Sequence, residues 1–449
     1  MIHALNIPVP PSVLVTVHLA IFMLGAWWLK HKPLETRRAT FWVMLAIVLI
    51  SLFEFLTAEP PRPFEDFRFA YYPAGQAVLL GPAALLPEIE RGVEGFVNLP
   101  ILAYLFVPLA LIPQKYAMLL FAAASIVSAG VAWWLLVRAA RLGATQAILL
   151  LFLFAVCGPL HNGVKEGNTS QFVLALLAGA LFLLQARRDF AAGVLLGLAA
   201  IIKLPLLLAC AALVLLARWR AAAGALATGL LLIGASIAVF GWDMHRIWYH
   251  DCIAPFGSAP LTAFNAQSLQ AFAARLATGG DGLWDWKPHT SLQQYGAVSR
   301  IAVLLIYAAT AIWVAKVHTR IASAPEAGTT HDLVTVRALL VAIVLACITS
   351  PLSWSHYYAW MLVPAAFLLA PSPFAGKIPA ARTMDWLAIA LVCVPVVDLQ
   401  PSPGIALELY ARTAASATLA GGVLMLWILL RRPQGAVAHR PRAGLAEAT

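Results

Sequence analysis

The chain has 449 residues, 62% of them hydrophobic and only 11% charged, with a mean hydropathy of +0.84. Ordinary soluble domains carry about a quarter charged residues, so the composition excludes a water-soluble globular protein and points to one embedded in a lipid bilayer. The net charge of +10 comes from short basic clusters between apolar runs, the pattern of cytoplasmic loops, and argues against a nucleic-acid partner.

In chain order, apolar runs predict helices near 12–30, 41–57, 98–113, 116–137, 146–160, 170–185, 190–217, 222–240, 298–316, 336–351, 354–370, 384–397 and 411–430. The expected fold is an all-α, polytopic transmembrane helix bundle. It has about 12–13 spans plus re-entrant or broken segments, in a single domain over 1–430, and a short basic tail over 431–449 follows. The N-terminus, MIHALNIPVPPSV, has no Lys or Arg and no small-residue cleavage site after its apolar run, so it reads as a retained first helix. Basic clusters at Lys30/Lys32/Arg37/Arg38, Arg138/Arg141, Arg187/Arg188, Arg218/Arg220, Lys316/Arg320, Lys377/Arg382 and Arg431/Arg432 are assigned to the cytoplasm. That assignment puts two long loops, 58–97 and 241–297, on the outer side, the periplasmic face of a bacterial inner membrane.

Parity then constrains two runs. Segment 98–113 carries Pro100, Pro108 and Pro113 and is short, which favours a re-entrant or interfacial piece. Segment 190–217 begins and ends beside cytoplasmic arginines, so it must enter and return, with Lys203 at the apex and Pro205 just beyond. Each half is about 14 residues, roughly 21 Å long, and a lysine at that depth is costly unless it meets an anion or a water-filled cavity. The five cysteines form no CxxC pair and read as small buried apolar residues. GxGxxG, GxxxxGK[ST] and HExxH are absent, which gives nucleotide and zinc chemistry no support. No metal and no cofactor is expected.

On this map polar residues gather on the outer side. They are Glu65, Asp66, Arg68, Tyr71 and Tyr72; then His161, Lys165, Glu166, Asn168 and Gln171; then Lys203; then Asn265, Gln267 and Ser268; and finally Trp354, His356, Tyr357 and Tyr358. Each also admits a plainer role: solvated loop acids, an interfacial aromatic belt, a snorkelling lysine, a helix cap or a satisfied buried histidine. Their convergence from five separated segments is what suggests one external cavity at the membrane boundary.

The stretches DFRFAYYPAGQAVLLG (66–81), NLPILAYLFVPLALIP (98–113), EGNTSQFVLALLAGALFLL with AAGVLLGLAAIIKLP (166–205), NAQSLQAFAARL (265–276) and SPLSWSHYYAW (350–360) follow a family order. In them the chain resembles the polyprenol-phosphate-mannose-dependent mannosyltransferases of glycosyltransferase family 87, which have the GT-C architecture. It departs from the family at Asn98-Leu99-Pro100, at Gly167-Asn168 where Gly-Gln is common, and at NAQSL where NQSL is common. The resemblance implies that Asp66 is the general base of an inverting hexosyl transfer, most simply of mannose, from a polyprenyl-phosphate donor to a lipid-linked or glycan acceptor. It implies that Lys203 and His356 stabilise the donor phosphate. Glu65, Arg68, Tyr71, Tyr72, Asn168, Asn265, Gln267, Trp354 and Tyr357 would then contact sugar or acceptor. Two other functions stay open from sequence: a transporter or flippase of lipid-linked sugars, and a polysaccharide ligase or polymerase. Only one broken segment is evident where transporters often pair two, and loop 241–297 is poor in arginine.

Overall fold

The computed structural model describes residues 64–322, 327–370, 379–394 and 404–431. The apolar runs 12–30 and 41–57, the first basic cluster and the tail beyond Arg431 lie outside the described residues, as does 58–63 of the loop predicted to lie on the outer side. The described chain is helical, because apolar runs in lipid must satisfy their backbone groups internally. An isolated antiparallel bridge, Ala266 with Trp354, is its one β pairing.

The elements used below are α1 (Tyr72–Leu80), α2 (Gln114–Ala139), α3 (Ala144–Val156), α4 (Gly158–Lys165), α5 (Ser170–Gln185), α6 (Asp189–Ile202), α7 (Leu207–Leu215) and α8 (Trp219–Trp248). They continue with α9 (Leu269–Thr278), α10 (Gln293–Ala322), α11 (Ala327–Thr349), α12 (Leu362–Leu369), α13 (Pro379–Cys393), α14 (Ile405–Arg412) and α15 (Ala417–Arg431). Among the described residues four helical stretches are long and apolar enough to cross a membrane, or five if α3 and α4, bent by 50°, count as one. The other predicted runs form shorter apolar helices at 100–110, 170–185, 189–202, 204–215, 333–349 and 383–393. The bundle is thus polytopic, with more broken and short helices than the hydropathy pattern alone specifies.

Segment 98–113 folds as a 3-10 run, Pro100–Phe106, followed by one short turn of helix, Val107–Ala110. Its prolines remove backbone donors and stop a full-length helix. Segment 189–215 is two helices broken at Lys203, whose backbone is extended (φ −137°, ψ 95°). A Cβ at Gly193 would run into the Ala221 carbonyl, one at Gly224 into the Phe190 carbonyl, and one at Gly197 would come 2.8 Å from the Ala225 carbonyl. The small residues of GVLLG therefore let α6 and α8 touch backbone to backbone, the usual role of small-xxx-small spacing in membranes. Arg218, which precedes α8, lies 3.9 Å from Asp189, the first residue of α6. α6 and α8 thus start at one level and run alongside each other, so α7 must run back between them. The expected entry and return holds, and Lys203 marks the turning point.

The main core is built from Leu, Ala, Val and Phe of α2, α3, α5, α6, α11, α12, α13 and α15. Trp360 ties the 355–361 turn to α5 by donating from Nε1 to the Ser170 carbonyl at 3.2 Å. A second apolar cluster, including Phe67, Tyr71, Phe96, Phe106 and Phe121, supports the segment that carries Asp66.

Candidate active site

Asp66 opens a single π-turn, Phe67–Tyr71, a local distortion often found at functional sites. Phe67 and Tyr71 point into the aromatic cluster, where Tyr71 stacks on Phe106 with ring centroids 4.6 Å apart. Glu65 is exposed and Asp66 half-buried. Two backbone bonds, Phe64 N–H to Lys165 O at 2.7 Å and Asp66 N–H to Glu166 O at 2.9 Å, lash this segment to the turn after α4. The lashing depends on Gly167. Its φ is +66°, and a Cβ there would lie 2.7 Å from both Phe64 Cδ1 and Phe67 Cβ.

That turn delivers Asn168. Its Oδ1 accepts from the Ser170 backbone N–H at 3.0 Å and from the Ser170 hydroxyl at 2.9 Å, which orients the amide. Nδ2 must then face Asp66, and it donates to Oδ2 at 2.5 Å, with a longer contact of 3.3 Å to the Tyr71 hydroxyl. The second carboxylate oxygen, Oδ1, has no hydrogen-bond partner among the described residues. Burial holds the Asp66 carboxyl above the usual carboxylate range. The Asn168 hydrogen bond and the Lys203 charge oppose this, and Glu65 adds to it. Glu166 is pushed up to about 8 by burial and by the neighbouring Asp66, against the pull of Lys165.

Lys203 is 6% exposed, and its ammonium sits 4.9 Å from the centroid of the Tyr357 ring. A buried cation on an aromatic face is favourable, yet no carboxylate pairs with it directly among the described residues. His356, next to Tyr357, is buried, and its Nε2 has no partner among the described residues. Gln171 is likewise buried with both amide atoms unpartnered. The Gly163 position lies against it, 2.8 Å from Gln171 Nε2 and 3.4 Å from His356 Cβ for an added methyl.

Sequence reasoning thus singled out residues that fall into three groups. Asp66, Tyr71 and Asn168 form one contact set, and Lys203, His356 and Tyr357 form an adjoining one. Asn265, Gln267 and Trp354 lie on a separate shelf, where Trp286 donates to Asn265 Oδ1 at 3.1 Å and Gln267 is fully buried in contacts of its own. Tyr72 turns away, its hydroxyl donating to the Ile112 carbonyl at 2.9 Å. Arg68 lays its guanidinium over Phe69, 5.1 Å from the ring centroid. Sequence reasoning gave no role to Glu166 or Arg275. A lone arginine among Ala, Phe and Leu in LQAFAARLAT is the signal that marks Arg275 as a buried anchor.

The arrangement supplies a half-buried carboxylate with one oxygen fixed and the other free. Beside it stands an unpaired buried cation. That combination suits removal of a hydroxyl proton next to a departing anion.

The family model of glycosyltransferase family 87 matches residues 96–351, more than half of the chain. The match contains Asn168, Lys203, Asn265 and Gln267, while Asp66 and His356 lie outside it. The chain is also 27% identical over 374 residues to the polyprenol-phosphate-mannose-dependent alpha-(1-2)-phosphatidylinositol pentamannoside mannosyltransferase of Mycobacterium tuberculosis, covering 80% of this chain and 79% of that protein. No solved structure matches. With its several apolar membrane helices, the chain belongs to glycosyltransferase family 87 and is a multi-pass membrane glycosyltransferase.

Proposed function

We propose that the protein transfers a hexosyl group, mannose in the simplest case, from a polyprenyl-phosphate donor to a lipid-linked or glycan acceptor on the periplasmic side of the inner membrane. The observation that carries this reading is the pairing of Asp66 with Asn168 at 2.5 Å beside the buried, unpaired Lys203. The M. tuberculosis relative, whose name specifies a polyprenol-phosphate-mannose donor, supports the donor class.

In the proposed step the acceptor hydroxyl gives its proton to Asp66 Oδ1 as its oxygen forms a bond to the anomeric carbon. The bond from that carbon to the phosphate oxygen breaks, and the electron pair leaves with polyprenyl phosphate. One displacement inverts the anomeric centre. Lys203 and His356 meet the charge that develops on the phosphate, where fixed donors in a water-poor site act most strongly. Asn168 keeps the base oriented, and Tyr71 and Tyr357 wall the site.

The test is transfer by purified full-length protein in detergent with polyprenyl-phosphate mannose, followed by the anomeric configuration of the product. Inverted product, and a kcat lowered at least about tenfold by Lys203→Gln, is the expected result. A retained configuration, or Lys203→Gln kinetics equal to wild type, refutes the proposed site.

A further inference from the structure

The shelf that holds Asn265 and Trp354 is fastened to the C-terminal helices in a way that the transfer chemistry alone does not require. Backbone bonds from Gln267 N–H to Ser353 O at 2.6 Å and from Ser355 N–H to Asn265 O at 2.8 Å flank the Ala266–Trp354 bridge. Two rungs make a pairing too small to persist alone. What reinforces it is the side chain of Gln267. Its Nε2 donates to the Phe264 carbonyl at 2.8 Å and to the Ala415 carbonyl at 2.5 Å, and its Oε1 accepts from the Thr418 hydroxyl at 2.6 Å. Both amide protons are therefore spent, and the residue has no exposed surface. The Tyr358 hydroxyl also donates to the Gln267 carbonyl at 2.6 Å.

Arg275 repeats the pattern one helix later. Fully buried, it donates to the carbonyls of Ala263 at 2.9 Å and Ala266 at 2.7 Å and to the Ser416 hydroxyl at 2.8 Å. At the far end of α9, the Gly280 N–H donates to Glu408 of α14 at 3.0 Å. The start of α15 thus fixes where 263–267 lies, 263–267 fixes 353–355, and the next two residues are His356 and Tyr357.

We propose that Gln267, together with Thr418 of α15, is a positioning device for the donor site and makes no direct contact with sugar. The inference rests on the reading that Lys203 and His356 hold the donor phosphate. A shift of about 1 Å in such a group can cost on the order of a hundredfold in rate, while the lipid tail and the bulk of the donor still bind. The signature is therefore a fall in kcat with little change in KM.

The experiment is a double-mutant cycle in the full-length protein with polyprenyl-phosphate mannose as donor. It compares wild type, Gln267→Met, Thr418→Val and the pair, all assayed well below their melting temperatures. Thr418→Val should lower kcat about tenfold with donor KM changed less than twofold. The pair should be no slower than Gln267→Met, because contacts that act as one unit are not additive. Three results overturn the proposal: multiplicative losses, a raised KM in Gln267→Met beside wild-type kinetics in Thr418→Val, or lowered melting temperatures with kcat unchanged. Should Gln267→Met not fold, Thr418→Val decides alone, since a normal kcat there refutes it. Lys203→Gln assayed alongside separates the two readings. If it transfers like wild type, or if wild type itself transfers nothing from this donor, the phosphate reading falls and this inference with it. If it is impaired while Thr418→Val is normal, only this inference falls.

Discussion

Replacing Asp66 by asparagine removes the proposed base while leaving the local architecture intact. The carbonyl oxygen of the new side-chain amide can still accept from Asn168 Nδ2 where Oδ2 does now, at 2.5 Å, and the backbone bond from residue 66 to Glu166 O does not involve the side chain. What disappears is proton acceptance and the attraction to Lys203. General-base catalysis contributes about 10²–10⁴-fold, so kcat should fall about 10³-fold, which is ~4 kcal/mol at about 1.4 kcal/mol per tenfold. The stability effect has the opposite direction. Burial raises the Asp66 pKa in the folded protein, so the stability tied to its protonated form is complete below the unfolded pKa and is lost as pH rises through the folded one. Asp66→Asn should therefore melt at or above wild type at neutral pH, with the gap closing in acid. Wild-type kcat should rise with pH through the raised Asp66 pKa, and the mutant's residual rate should be flat. Radiolabelled mannose transfer across the acid-to-alkaline range, paired with thermal unfolding in detergent, measures all three. A folded Asp66→Asn protein within about threefold of wild-type kcat, against the hundredfold or more expected of a lost base, refutes the reasoning and moves the base elsewhere, with Glu65 tested next.

Glu166, pushed up to about 8, is largely protonated at neutral pH; its stabilising contribution is lost as pH rises through about 8, where its charge also appears beside Asp66. Wild-type activity and melting temperature should both decline above that pH, and Glu166→Gln should flatten both profiles. Gly167→Ala places a Cβ at φ +66° within 2.7 Å of Phe64 and Phe67. The left-handed backbone alone costs about 1–2 kcal/mol, so denaturation should show a loss above that, and kcat should fall as Asp66 is displaced. Gly193→Val sets a side chain against the Ala221 carbonyl and should separate α6 from α8. Reduced yield and a melting temperature several degrees lower are expected, with wild-type stability counting against close packing there.

The alternatives left open by sequence fare unequally. The family match favours a transferase over a transporter. Segment 241–297, predicted as a long outer loop and too poor in arginine for a polymerase, begins as the last turns of α8 and serves partly as a bracket: Gln267 and Arg275 bind it to the 415–418 stretch at the start of α15.

By itself the sequence determined the membrane class, the helical fold and the broken segment at Lys203. These follow from local chemistry. A run of Leu, Ala and Ile must become helix in lipid and proline past the first turn breaks or kinks a helix, whereas Asp66 is legible only as an acid kept beside apolar segments, its role as base being what the family resemblance implies. The partners of each group depended on tertiary structure. Nothing in Gly167 or Asn168 as letters shows that one admits Phe64 and Phe67 while the other spends its oxygen on Ser170 and turns its nitrogen to Asp66. Gln267, polar in a motif of polar residues, reads as a ligand contact until Ala415 and Thr418, 148 and 151 positions away, are seen to consume its hydrogen bonds. Helix formation is decided within a few turns of chain, whereas the use of a side-chain hydrogen bond is decided by whichever distant backbone packs against it.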